Sequence, residues 1–206
     1  RARLSAGERL ELTARVDTRF EPGGFPWLTA IVPGVEPQAG EVLAQAHAFE
    51  PGMIDNAVGV GCVWEAALAI HEAIAAGELP RPLRTFRLLT NFECFGFSDF
   101  AFQRPEIVRR LTADVNVDGI GIGEFESSVN LQPLFTPNYL DAEIAPFREA
   151  ARRTTRLTWP VRAFQHGNDK ILSDPMHGVP TLDFTCDGSS YDGLHNSRDD
   201  GRHLDP

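Results

Sequence analysis

VLAQAHAFEPGMIDNAVGVGCVWEAALAIHEAIAAG, residues 42–77, sets a strand, a loop and a helix in immediate succession, and the class of fold follows from that order. Val42 to His47 is a short apolar run of the kind that forms a buried strand, and Glu50-Pro51-Gly52 stops it. Beyond the loop, Val60, Val63, Ala67, Ile70 and Ile74 recur at three- and four-residue steps, which gives a helix with one apolar face. Asp55 or Asn56 stands where a side chain can cap the helix start. Gly77, followed by Pro80 and Pro82, ends it.

The same two periods continue on either side. Arg9 to Val16 (RLELTARV) alternates apolar and polar residues, which predicts a half-buried strand. Glu21 to Phe25 is a turn or loop, and Leu28 to Val32 is another short apolar run. Arg84 to Asn91 reads as the next strand, Glu93 to Ser98 as a turn, Pro105 to Leu111 as a short helix and Ala113 to Val117 as a strand ending in Asp118-Gly119. Ile144, Phe147 and Ala151 mark a second amphipathic helix with Pro146 in its first turn, where proline is tolerated. Pro160 to Phe164 and Thr181 to Phe184 are late strands. Such alternation predicts an α/β fold of three layers, α/β/α, around a mixed, mostly parallel sheet. With no repeat, low-complexity tract or linker, residues 1–206 read as a single domain.

Composition narrows the partners. A chain of 206 residues with 42% hydrophobic content suits one sizeable core. It opens on Arg1 rather than Met, so a longer or processed parent is expected. No stretch approaches the roughly 20 consecutive apolar residues of a bilayer span, and no membrane partner is expected. The 29 acidic residues outnumber 19 basic ones for a net charge of −10, which repels phosphate backbones and argues against nucleic acid. Cys62, Cys94 and Cys186 are odd in number and form no CxxC pair, so a disulfide framework is not expected. They favour a reducing, cytoplasmic compartment; a secreted form would need a leader ahead of Arg1. Cys62, within the helical stretch, reads as a small core residue. The oligomeric state is open, a homo-oligomer included.

Open α/β sheets bind ligands at the carboxyl ends of their strands. His47 ends one strand, Glu93 follows the next, and Asp118 ends a third. Asp55 precedes the long helix, and His195 lies in the polar loop Gly193-Leu194-His195-Asn196-Ser197-Arg198-Asp199. Singly, Asp55 would serve as a helix cap and Asp118 as turn chemistry. As an ordered set of imidazoles and carboxylates they suit a hydrolytic zinc site. His71, His166, His177 and His203 lack that context and are read as non-ligands. The segments Gly121 to Ser127 and Asn130 to Asn138 are candidate pocket-lining loops by position.

These residues resemble the zinc aminopeptidases of the leucyl-aminopeptidase and glutamate-carboxypeptidase type, and more closely an aminopeptidase-like subgroup of that family. His47 to Gly59 (HAFEPGMIDNAVG) is similar to the family's H…P-G-x-x-D-N-x-x-G segment, in which the His is a ligand and the Asp bridges two metals. Asn116 to Gly121 resembles N-x-D-x-x-G, whose Asp is a further ligand, and His195 to Asp199 resembles H-T-S-x-D, which carries the last His. Gly167-Asn168-Asp169, Ser173-Asp174-Pro175 and Gly178-Val179-Pro180 are similar to the run between them. The resemblance spans roughly Leu10 to Pro206. It implies a phosphorylase/hydrolase-like fold, one or two zinc ions held by His47, Asp55, Asp118 and His195, and an exopeptidase acting on the N-terminal residue of peptides or peptide-like small molecules. A degraded member kept as a binding or assembly module is the alternative.

A carboxylate such as Asp55 can hold two cations about 3.5–4 Å apart, and a nearby Glu can shuttle a proton between water and the leaving amine. Glu93 is the residue for that role. The family usually places two adjacent Glu residues there, one base and one ligand, whereas this chain has Glu93-Cys94. Glu93 as base, Glu93 as ligand and Cys94 as ligand therefore all stay open. His47-Ala48-Phe49 stands where the family has H-x-D, so the carboxylate that orients the ligands is absent. Lys170 follows Asp169 where the subgroup often has His.

Overall fold

The computed structural model describes residues 5, 7, 9, 11–121, 127–131, 139–155, 161–163, 168–186, 193–202 and 204. Among them are seven strands, β1 (Leu28–Val32), β2 (Glu41–Ala48), β3 (Thr85–Phe92), β4 (Leu111–Val117), β5 (Ser127–Leu131), β6 (Val161–Ala163) and β7 (Thr181–Cys186). They form one sheet in the order β1-β3-β2-β4-β7-β5-β6. β2 pairs in parallel with β3 and β4, and β7 extends the parallel set beside β4. β1 on β3 and β5 on β7 are antiparallel, and β6 is parallel to β5. The sheet is thus mixed and mostly parallel, flanked by the helices α1 (Ala57–Ala75), α2 (Phe95–Gln103), α3 (Pro105–Val108) and α4 (Leu140–Thr155).

β2 is central and covered on both faces, which is why it reads as a near-continuous apolar run. Ala44 and Ala46 pack with Leu88 and Val117 against Val63 and Ala67 of α1. Leu43 and Leu89 project the other way, onto Phe97, Phe100 and Ala101 of α2 and Leu172. α4 lays Leu140 and Ile144 on Ala113 and Leu182. Each leucine, valine, isoleucine or phenylalanine side chain among these contributes about 1.5–3 kcal/mol when fully buried, so this two-sided core holds β2 firmly in place. The strand ends that carry the chemistry are fixed with it.

Five local expectations need correction. Residues 11–27 form no strand, and Leu12, Val16 and Phe20 are exposed. Among the described residues their alternating pattern pairs with no strand of the sheet, although β1 ends it with an open edge. Helix α2 already starts at Phe95, within the stretch read as a turn, because Phe97, Phe100 and Ala101 share one buried face at helical spacing. Pro146 is interior to α4 rather than in its first turn; Leu140 and Ile144 anchor an extra turn ahead of it. Cys62 is exposed, since α1 turns Val63 and Ala67 to the sheet. In length and apolar composition α1 also compares with a bilayer span, contrary to the sequence reading. Here one face of it packs on the sheet, and Trp64 Nε1 donates to Thr90 Oγ1 at 3.0 Å.

Beneath the short 3-10 segment Asn168–Ser173 the core turns polar. Gln45 Nε2 donates to Asp114 Oδ2 and to the Asp169 carbonyl, both at 3.0 Å. Thr181 Oγ1 reaches Asp114 Oδ2 at 3.2 Å, and Asn116 Nδ2 donates to Asp183 Oδ1 at 2.9 Å. Burial holds the Asp114 carboxyl well above the usual carboxylate range, against the Thr181 hydrogen bond and with the help of Asp183. Folding therefore takes up a proton at Asp114. Its contribution to stability is best below the unfolded value near 3.8 and falls as pH rises above it. Asp114→Asn should flatten the decline in stability as pH rises above about 4, by up to about 1.4 kcal/mol per pH unit, read from urea midpoints against wild type. Identical slopes for the two proteins would place the proton elsewhere.

Candidate metal centre

The turn after β2 and the turn after β4 are stitched together before either presents a side chain to the pocket. Asn56 stands at the N-terminal boundary of α1 but does not cap it. Its Nδ2 donates instead to the Val117 carbonyl at 2.8 Å, and its Oδ1 accepts from the Gly119 amide at 3.3 Å. Gly59 lets the helix approach β4; a Cβ there would sit 2.6 Å from the Val117 carbonyl oxygen. Asp55 and Asp118 are thereby held side by side. The C-terminal loop closes the third side. Asp199 Oδ1 and Oδ2 accept from the amides of Ile54 at 2.8 Å and Asp55 at 2.9 Å.

His47 stands at the middle of what results, with its ring 1% exposed. Its Nε2 lies 3.0 Å from Asp55 Oδ1, 3.2 Å from Asp118 Oδ1 and 3.8 Å from Asp169 Oδ2. The second oxygen of Asp55, Oδ2, lies 2.9 Å from His195 Nε2. One carboxylate thus faces two imidazoles, one with each oxygen. The sequence-derived set His47, Asp55, Asp118 and His195 is brought together, although His195 enters from a loop 148 positions after His47 (195 less 47).

Donor atoms that lie within 4.8 Å of one another fall into three sets among the described residues. They are His47, Asp55 and Asp118; Glu50, Asp55 and His195; and Glu93, Cys94 and Asp169. Glu93 is therefore near the centre but not in either set that contains a histidine. Cys94 stands beside it, with its amide donating to Asp169 Oδ1 at 3.0 Å. Burial, with Glu93 and Asp169 beside it, pushes the Cys94 thiol up to about 11, so it stays protonated in this environment.

The electrostatics call for positive charge. Burial works against a charged His47, yet hydrogen bonds to Asp118 and Asp55 outweigh it and raise the imidazole to about 11. Burial raises Asp169 to about 7, opposed by His47 and reinforced by Asp118. Glu50 is pushed up to about 7 as well, by burial and then by Asp55 and Glu93. Asp55 moves the other way: burial is overcome by His47 and His195, and its carboxyl lies below the usual range. Lys170, on the same segment as Asp169, reaches Asp183 at 3.6 Å. Asp169 Oδ2 is buried with no hydrogen-bond partner. Imidazole nitrogens and carboxylate oxygens crowded at this spacing, with an orphaned anionic atom among them, form a donor set that fits a divalent zinc ion.

One supporting contact is missing. His47 Nδ1 is buried without a partner. A ligating histidine normally donates its other ring N–H to a carboxylate or carbonyl. Phe49, two residues on, stands where the aminopeptidases carry that carboxylate. Its ring lies instead 6.2 Å from Phe92, and Phe25 packs 5.4 Å from Phe92 and 6.2 Å from Phe95. These partly exposed rings form an apolar rim at the ends of β2 and β3.

Three residues went unassigned from the sequence: Glu50, Asp169 and Asp199. Glu50 belongs to the Glu-Pro-Gly that stops β2, so its signal was read as a breaker. Asp169 and Asp199 lay inside the family-like segments without a role. Apart from Gly121 and their share of β5, the loops 121–127 and 130–138 fall outside the described residues, and so do His166 and His203.

Residues 29–206 match the sequence profile of peptidase family M28. No curated protein matches the chain. Among solved structures, a zinc aminopeptidase from Bacillus subtilis is 16% identical, with a TM-score of 0.64 over 86% of this chain and 45% of its own. The LapA aminopeptidase of Legionella pneumophila is 14% identical, with a TM-score of 0.63 over 87% of this chain and 53% of its own. A glutaminyl cyclase from an Acidobacteriales bacterium is 15% identical, with a TM-score of 0.58 over 86% of this chain and 66% of its own. The chain spans about half the length of the two aminopeptidases.

Zinc at a thousand times its dissociation constant should stabilise the protein by about 4 kcal/mol, seen as a rise in thermal midpoint. Asp55→Ala, which removes the carboxylate common to both histidine sets, should show no rise. An equal rise in that variant would move zinc binding away from this pocket.

Proposed function

The chain belongs to peptidase family M28, and we propose that it forms the core of a zinc-dependent hydrolase that removes the N-terminal residue from peptides or peptide-like small molecules. The observation that carries this reading is Asp55, whose two oxygens face His47 at 3.0 Å and His195 at 2.9 Å. His47, Asp55 and Asp118 would hold one zinc ion, and Asp55 with His195 would contribute to a second. Zinc bound there supplies a Lewis acid that polarises the scissile carbonyl and makes water more acidic.

The protein's own groups do the rest. Glu93 accepts a proton from the attacking water on its carboxylate and returns it to the leaving amine. A carboxylate left without metal, such as Asp169, would keep the pocket acidic, which draws in the free ammonium group of a peptide's first residue and favours exopeptidase action. The rim of Phe25, Phe49, Phe92 and Phe95 offers that residue's side chain an apolar surface. A second reading, in which the fold survives as a binding module without turnover, is favoured by one observation, the unpartnered Nδ1 of His47. The two readings differ in hydrolysis.

In the full protein, Glu93→Gln should retain zinc while kcat falls by about a hundredfold to ten-thousandfold, the usual worth of a general base. Asp55→Ala should lose both metal and activity. Loss of all zinc in Glu93→Gln would refute the base assignment. Intact zinc with no release of an amino acid from any aminoacyl amide would favour the binding module. Cleavage of phenylalanyl or leucyl amides should exceed that of glutamyl amides, and the reverse order would deny the rim its role.

A further inference from the structure

We propose that Glu50 is the third protein ligand of the cation shared by Asp55 and His195, supplied from the end of β2 in place of the second glutamate that related aminopeptidases carry after β3. This rests on the zinc-hydrolase reading above, and it answers the question left by Glu93-Cys94.

The Glu50 and Glu93 carboxyls lie within hydrogen-bonding reach of each other, but they fall in different donor sets. The carboxylate of Glu50, Asp55 and Nε2 of His195 offer donor atoms within 4.8 Å of one another. Glu93 and Cys94 gather instead with Asp169. If Asp55 gives Oδ1 to the His47 side and Oδ2 to the His195 side, two triads result: His47, Asp55, Asp118 and Glu50, Asp55, His195. Three protein ligands with an open position is the usual set of a catalytic zinc. Without Glu50 the second triad is a pair.

The backbone explains how a residue so close to His47 serves a different ion. Phe49 has φ 74, an uncommon left-handed conformation for a bulky side chain, and it turns the chain sharply between His47 and Glu50. Pro51 and Gly52 follow, and Gly52 lies so close to Asp199 that a Cβ would fall 2.3 Å from its Oδ2. The loop that carries Glu50 is thereby pinned to the segment that carries His195. On the His47 side, Asp169 Oδ2 is buried, without a hydrogen-bond partner and 3.8 Å from His47, so that side of the pocket calls for positive charge as well.

Glu93 is then free of metal and serves as base alone. The test counts zinc by elemental analysis after equilibrium dialysis of the full protein against zinc-buffered solutions, with the visible spectrum of the cobalt-loaded protein as a second readout. Wild type and Glu93→Gln should each bind two ions. Glu50→Gln should bind the first unchanged and the second at least a hundredfold more weakly, with the cobalt spectrum reduced to that of one site. Glu50→Ser, read the same way, guards against a folding defect in the first variant. Two ions of unchanged affinity in both Glu50 variants would overturn the assignment, as would loss of the second ion in Glu93→Gln. A single ion in wild type, abolished by Asp55→Ala, would leave the hydrolase reading standing and remove this one. No zinc in wild type would remove both.

Discussion

The mutual constraint between one buried imidazole and the carboxylates around it organises this molecule. His47 cannot be buried as a charged group alone, and Asp55, Asp118 and Asp169 cannot be crowded at 3.0, 3.2 and 3.8 Å from it without positive charge between them. Each of the four comes from a different part of the chain: the end of β2, the loop before α1, the turn after β4 and the segment before β7. Parallel pairing of β2 with β3 and β4 is what delivers their carboxyl ends to the same edge of the sheet. In the metal-free protein a protonated His47 neutralises part of the excess. A divalent ion can do the same more completely, so metal affinity and protonation compete for one place.

Among the described residues, the non-glycine positions with positive φ are Phe49, Cys94 and His195, and all three border this pocket. Each such conformation costs about 1–3 kcal/mol and persists only where its surroundings enforce it. They re-aim the chain just after β2, just after β3 and within the C-terminal loop. Glu50 and Glu93, neighbours of Phe49 and Cys94, are placed by these turns. The pocket thus combines rigid strand ends with sharp, strained corners, and the corners decide which carboxylate meets which histidine.

The sequence was most legible where burial is simplest. A central parallel strand covered on both faces must be apolar throughout, and a helix on one face must show a 3.6-residue period, so β2 and α1 stood out in residues 42–77. Residues 9–16 misled because alternation reports amphipathicity but not whether a sheet edge is available. Helix α2 was hidden because Phe95 and Phe102, which are exposed, blur the period that Phe97, Phe100 and Ala101 set. In the site, residues at strand ends and in family-like segments could be named. Glu50 could not, since its part depends on a turn at Phe49 that no local pattern announces. Asp199 was equally silent, because its partners are backbone amides 144 and 145 positions away.

That reach has a consequence for how the molecule assembles. The loop holding Asp55 is clasped by the side chain of Asp199, 144 positions later, so the clasp cannot close until that distant segment is available. Closing so long a chain segment is costly in entropy and slow to nucleate. β2, α1, β3 and α2 can pack while the Asp55 loop is still free, and the pocket then acquires order after them. During synthesis, a ribosome-bound chain would therefore pair β1 to β4 well before it carried a competent centre.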